Sequence, residues 1–165
     1  MINLKRILVP TDFSETSAAA LRYAIALARR FAARIYLLNV SDYPNIADDA
    51  DEAEDPISIF EAMQNTANDR LRLLLTEEEV QELQPGYGIR IGHPADEIVR
   101  YAHEHAVDLI VMGTHGRTGI KHLVLGSIAE KVVRLASCPM LTVHHPAREF
   151  VEAVEPVRVM RFATA

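Results

Sequence analysis

Asp108-Leu109-Ile110-Val111-Met112-Gly113-Thr114-His115-Gly116-Arg117-Thr118-Gly119 is followed, after Ile120–Leu125, by Gly126-Ser127-Ile128-Ala129. Leu109 to Met112 is a continuous apolar run of strand length, the pattern of a strand covered on both faces. It ends in spaced glycines and polar residues. Beyond Gly126-Ser127, the positions Ile128, Val132, Leu135 and Ala136 predict the buried stripe of a helix. A strand, a glycine-rich turn and a helix in that order make one unit of an α/β sheet.

Reading outward, three more apolar runs repeat the strand signal: Ile7-Leu8-Val9, Ile35 to Val40, and Met140 to Val143. A fifth, Tyr87-Gly88-Ile89-Arg90-Ile91, alternates and is expected to be an edge strand with one wet face. Helical patterns separate them. Leu21, Ala24, Ile25 and Ala28 fall on one stripe behind Ser14, a candidate N-cap. Ile57 to Leu75 predicts a second helix, and Thr76-Glu77-Glu78-Glu79 matches a capping box that restarts it. Pro94 opens the helix Ala95 to His105. The resulting alternation predicts a single doubly wound α/β domain, a five-stranded parallel sheet with helices on both faces.

The chain has 165 residues, 49% of them apolar and 24% charged, enough for one domain with a real core. No apolar run approaches the roughly 18 residues that span a bilayer, so membrane insertion is not expected. The start of the chain shows no signal-peptide pattern, and Cys138 is its single cysteine. Both fit a cytoplasmic protein. Cys138, between polar turn and apolar strand, is expected to be a small buried residue. The formal net charge of −6 argues against nucleic acid as a partner. That charge is uneven: residues 41–55 carry acids from Asp42 to Asp55 and no base. Residues 113–138 carry Arg117, Lys121, Lys131 and Arg134 against Glu130 alone.

In an open parallel sheet, ligands bind beyond the carboxyl ends of the strands, where the strand order reverses. The segment from Gly113 to Ser127 suits phosphate there. Glycines let backbone approach a ligand, and a helix start offers N–H donors and a positive dipole end. Read alone, such glycines equally make plain turns. There is no G-x-x-x-x-G-K-[ST] and no G-x-G-x-x-G after the first strand, so neither standard nucleotide loop is present. The seven histidines form no i, i+4 pair and no cluster with Cys138, which disfavours zinc. The acidic run has no EF-hand spacing.

The chain resembles the universal stress proteins over about residues 3–145. Gly113-x2-Gly116-x9-Gly126-Ser127 matches the G-x2-G-x9-G-[ST] motif of the ATP-binding members. Ile7 to Ser14, Gly92-His93-Pro94-Ala95-Asp96-Glu97-Ile98, and Cys138-Pro139 match in register. The resemblance implies a Rossmann-like, adenine nucleotide alpha hydrolase-like sheet of strand order 3-2-1-4-5. It also implies roles. Pro10, Thr11 and Asp12 lie at the adenine and ribose end, Val40 offers backbone to the adenine, and Met112 and Gly113 flank the ribose. Gly116, Gly126, Ser127 and Ile128 hold the phosphates of ATP (or ADP or AMP), with Mg²⁺. Read from the residues themselves, Arg117 adds positive charge beside them, and His115 either touches phosphate or faces solvent. Asp12 has an alternative role in capping the turn before the first helix. The chain departs from the family in His93, where Asp or Asn is usual and a helix cap is weakened, in its lengthened acidic loop, and in its tail.

The family implies a nucleotide-dependent regulatory module, acting on an unknown regulatory protein. Residues 1–146 form the domain and 147–165 a C-terminal tail. Two fifth strands, Pro139 to His144, are expected to pair in a homodimer. The tail segment Val157 to Phe162 reads as a possible extra strand. A slow ATPase or phosphotransferase is the enzyme alternative, and a nucleotide-free dimeric scaffold the third. No residue stands out as a general base beside a γ-phosphate, and none as an arginine finger, so no catalytic residue is expected.

Overall fold

Each of the first four strands is followed by a helical segment, and that chain order dictates a parallel sheet. The computed structural model describes residues 1–42, 56–114, 125–144 and 151. They form β1 (Arg6–Pro10), α1 (Glu15–Phe31), β2 (Arg34–Ser41), α2 (Pro56–Arg72), α3 (Glu77–Leu83), β3 (Gly86–Ile91), α4 (Pro94–Glu104), β4 (Leu109–Gly113), α5 (Ser127–Leu135) and β5 (Met140–Val143). All pairings are parallel, in the order β3-β2-β1-β4-β5. The chain winds outward from β1 to β3, crosses back, and winds the other way through β4 and β5. The direction therefore reverses between β1 and β4.

The apolar runs divide by parity between two cores. Ile7, Val9, Ile35, Leu37, Val111 and Val143 face α1, α2 and α3. Leu8, Leu38, Ile110 and Met112 face α4 and α5. The central strands β1, β2 and β4 thus bury both faces, which is why their sequences do not alternate. The predicted α1 stripe is buried in full, with Leu21, Ala24, Ile25 and Ala28 each at most 5% exposed. Val151, the one described residue of the tail, packs against the first core.

The local signals operate as their chemistry requires. The Ser14 hydroxyl accepts from the Ser17 N–H at the start of α1. Thr76 and Glu79 form the reciprocal capping box of α3. His93 makes no side-chain capping bond to α4, and Pro94 supplies the fixed first turn instead. Asp108 Oδ2 accepts from the backbone N–H groups of Lys5 and Arg6, tying the start of β4 to the start of β1.

Two sequence expectations need correction. β3 is an edge strand, but its six residues are all half-buried rather than alternately dry and wet. The Tyr36 and Tyr101 rings occupy the space over Gly86 and Gly88, where an added Cβ would stand 2.6 Å from each ring. Arg90 then lies over Tyr101. Aromatic rings cover the face that the small and polar residues seemed to leave to water. On α5, the stripe is rotated. Ala129 and Val132 are buried, while Ile128 and Leu135 are 42% and 50% exposed. The helix packs beside α4, and contact with that neighbour favours the side bearing Ala129 and Val132.

Candidate functional site

The reversal between β1 and β4 sets their carboxyl ends side by side. Helices on opposite faces begin beyond those ends, the place at which open α/β sheets bind their ligands. Pro10, Thr11 and Asp12 stand at the end of β1, Val40 at the end of β2, and Met112 and Gly113 at the end of β4. Gly126, Ser127 and Ile128 form the start of α5. The fold therefore brings these nine candidates to one edge of the sheet. His115, Gly116 and Arg117 lie outside the described residues, as do Gly119, Lys121 and His122.

On the β1 side the site is made of side-chain hydrogen bonds. The Thr11 N–H donates to Leu38 O at 2.8 Å, carrying the β1–β2 pairing past Pro10, which has no N–H. Asn39 is buried, and its Nδ2 donates to Thr11 O at 2.8 Å. Thr11 Oγ1 accepts from the Phe13 N–H and lies 3.1 Å from Ser17 Oγ. Asp12 Oδ1 accepts from both the backbone N–H of Ser14, at 3.1 Å, and its hydroxyl, at 2.6 Å. The turn-capping role weighed for Asp12 is thus present through Oδ1. Phe13 closes the turn with φ of 65°, an uncommon left-handed conformation for a residue with a side chain. Its ring lies under the Arg70 guanidinium at 3.9 Å.

On the β4 side the site is made of backbone. Gly126 is the N-cap of α5 and, lacking a side chain, contributes no capping bond. The first N–H groups of α5 thus receive no oxygen from that position. Ser127 and Ile128 are exposed beside it. Such an N-terminus suits an anion. Gly113 does not serve a left-handed turn. Its φ is not positive, and a Cβ there would stand 2.7 Å from Thr16 Cγ2 and 3.1 Å from the Thr16 carbonyl carbon. The first turn of α1 packs against β4 at that point, and only glycine leaves room for it.

Asn39, Ser17, Thr114 and His144 are parts of this edge that the sequence reading did not single out. Asn39, Thr114 and His144 work through hydrogen bonds to residues distant in sequence, and Ser17 through one that reaches back from α1 to Thr11; a single polar residue in such a place carries no periodic signal. Cys138, expected to be buried, is half-buried, and that burial pushes its thiol above the ordinary range, disfavouring a nucleophilic thiolate. Among the described residues no three His, Cys, Asp or Glu side chains gather as a metal site. No described helix is long and apolar enough to cross a membrane.

The profile of the universal stress protein family matches residues 3–144. The chain belongs to that family. Universal stress protein MJ0531 of Methanocaldococcus jannaschii is 36% identical over 152 residues, covering 88% of this chain and 85% of the relative. The solved structure of MJ0577 from the same organism is 32% identical, covers 89% of this chain and all of its own, and superposes with a TM-score of 0.72. A universal stress protein solved in complex with cAMP is 25% identical, with a TM-score of 0.56 over 87% of this chain and 98% of its own. Some universal stress proteins of this fold thus bind adenine nucleotides. The doubly wound, Rossmann-like sheet expected from the sequence is the sheet these proteins share.

Proposed function

We propose that this universal stress protein is an ATP-binding regulatory module whose nucleotide lies across the β1–β4 reversal. The observation that carries the reading is the full motif Gly113-x2-Gly116-x9-Gly126-Ser127, starting at the end of β4 and finishing at the first turn of α5. Adenine and ribose would lie toward Pro10, Thr11, Asp12 and Val40, with Met112 and Gly113 beside the ribose. Phosphates would meet the N–H groups at Gly126, Ser127 and Ile128, with His115, Gly116 and Arg117 completing that end. The hydrogen-bonded turn at Thr11 and Asp12 supports the first half, because a ligand there would meet a shape already set. The side-chain-free N-cap of α5 supports the second. With no three-residue metal cluster among the described residues, Mg²⁺ would arrive on the phosphate oxygens and keep its waters, the usual habit of that ion.

The domain would comprise residues 1–146, with 147–165 as a tail. Two copies would pair through β5, a sheet edge of four uncharged residues, because an uncovered apolar edge is a template for another strand. The cAMP complex of a relative favours one narrower variant, in which a mononucleotide is the resident ligand.

Calorimetric titration of the purified protein with ATP, AMP and cAMP, each with Mg²⁺, tests the reading. ATP is expected to bind, and Gly126→Val to weaken it at least ~10-fold with the fold intact, since a branched side chain would stand where phosphate oxygens approach backbone. Equal ATP affinity in the folded variant would overturn the site. Tighter binding of AMP or cAMP than ATP would move the reading to a mononucleotide sensor.

A further inference from the structure

Thr114 is a joint between three elements. It follows β4 directly and is 6% exposed. Its N–H donates to Val143 O at the end of β5, at 2.9 Å, and its carbonyl accepts from the N–H of Gly126, the N-cap of α5, at 2.6 Å. The register Gly113↔Val143 sets the next residues, Thr114 and His144, side by side. There the Thr114 hydroxyl lies 3.2 Å from His144 Nδ1. His144 itself is exposed.

We propose that His144 is a positioning residue for the phosphate end of the site. It acts through Thr114 and touches no ligand itself. Threonine is stiff about χ1, so a hydrogen bond to its hydroxyl holds the whole residue in one attitude. Fixing Thr114 fixes the carbonyl on which the Gly126 N–H is seated. That seat sets how the start of α5 stands against the end of β4. The residue that follows β5 thereby helps to align N–H donors carried by a different element. The consequence for ligand affinity rests on the adenine-nucleotide reading above. The consequence for Gly126 does not.

The parent, His144→Ala and His144→Asn are compared in two measurements. One is ATP·Mg²⁺ affinity by calorimetry. The other is amide hydrogen exchange at Gly126 in the ligand-free protein. Losing one such hydrogen bond is expected to weaken ATP about 3- to 10-fold in His144→Ala and to speed Gly126 exchange by a comparable factor. The Asn side chain presents a donor and an acceptor close to where Nδ1 stands, so His144→Asn should return both values to within about 2-fold of the parent. Thr114→Val should reproduce the His144→Ala effect, and the double variant should be no worse than either, because residues acting through one bond are not additive. Unchanged Gly126 exchange in His144→Ala would overturn the proposal. So would weakened ATP binding that Asn does not restore, which would make the imidazole a direct contact. A parent that binds no ATP would remove the nucleotide reading, and Gly126 exchange would still decide the role of His144.

Discussion

The two halves of the candidate site do the same job with different materials. The turn after β1 is shaped by side chains: Asn39 holds Thr11, Thr11 holds Phe13, and Asp12 and Ser14 hold each other. The junction between β4 and α5 is shaped by backbone and by missing side chains: Gly113 against Thr16, and Gly126 seated on Thr114. A turn built from hydroxyls, an amide and a carboxylate is vulnerable to loss of a polar group. A junction built from glycines is vulnerable to added volume. The difference fits the ligand proposed for each end. A ribose and base are recognised by fixed, directional polar groups, whereas phosphate needs close approach to N–H donors.

Adding volume at the β4 end should do the most damage. Gly113→Val would push a branched side chain into the first turn of α1, and overpacking of this severity destabilises by about 3 kcal/mol. Urea unfolding would read it as a shift of midpoint without a change of slope. Gly113→Ala should be milder and should be partly rescued by Thr16→Ser, which removes the methyl carbon 2.7 Å from the added Cβ. Absence of rescue would mean that the Thr16 backbone, not its methyl, sets the limit.

Removing a polar group from the β1 end should come next. Asn39→Ala would strip a buried hydrogen bond from the Thr11 carbonyl and is expected to cost about 2 kcal/mol. If the side-chain network shapes the ligand turn, ATP binding in that variant should weaken while the protein remains folded. Full affinity with lowered stability would confine Asn39 to the fold. Ser14→Ala should cost about 1 kcal/mol, the usual value of an N-cap. It also removes the hydroxyl from Asp12, so its effect on ATP affinity should exceed that of an N-cap remote from the site.

The smallest effect belongs to the exposed pair Lys131–Asp96, 2.9 Å apart, which links α5 to α4. The Lys131 hydrogen bond holds the Asp96 carboxyl below its ordinary range. A carboxylate with a lowered pKa contributes stability above its unfolded pKa and loses it as pH falls through the folded one. Both groups are open to water, so Lys131→Ala is expected to leave the melting temperature unchanged within error at neutral pH. A clear drop would mean that α5 is held in place by charge as well as by Ala129 and Val132.

The strands were legible because strands buried on both faces are written as continuous apolar runs, as at Leu109–Met112 and Ile35–Val40. Helix starts were legible at Ser14 and Thr76 because a cap is a local event, complete within four residues. The motif from Gly113 to Ser127 was legible as a spacing, and the family followed from it. The face of α5 was misread because Ile128 and Leu135 are as apolar as Val132, and periodicity alone does not say which neighbour a helix packs beside. β3 was misread for a related reason: the cover over Gly86 and Gly88 comes from Tyr36 and Tyr101, on other elements.

By itself, then, the sequence determined the alternation of elements, their caps, the parallel sheet and the family. All of these rest on local pattern or on spacing along the chain. Tertiary structure alone decided that Gly113 makes room for Thr16, that Asn39 holds Thr11, and that Thr114 joins β4, β5 and α5 beside His144. Each of these is a contact between residues distant in the chain. No propensity or period encodes such a contact, because it exists only once the sheet has set the strand ends side by side.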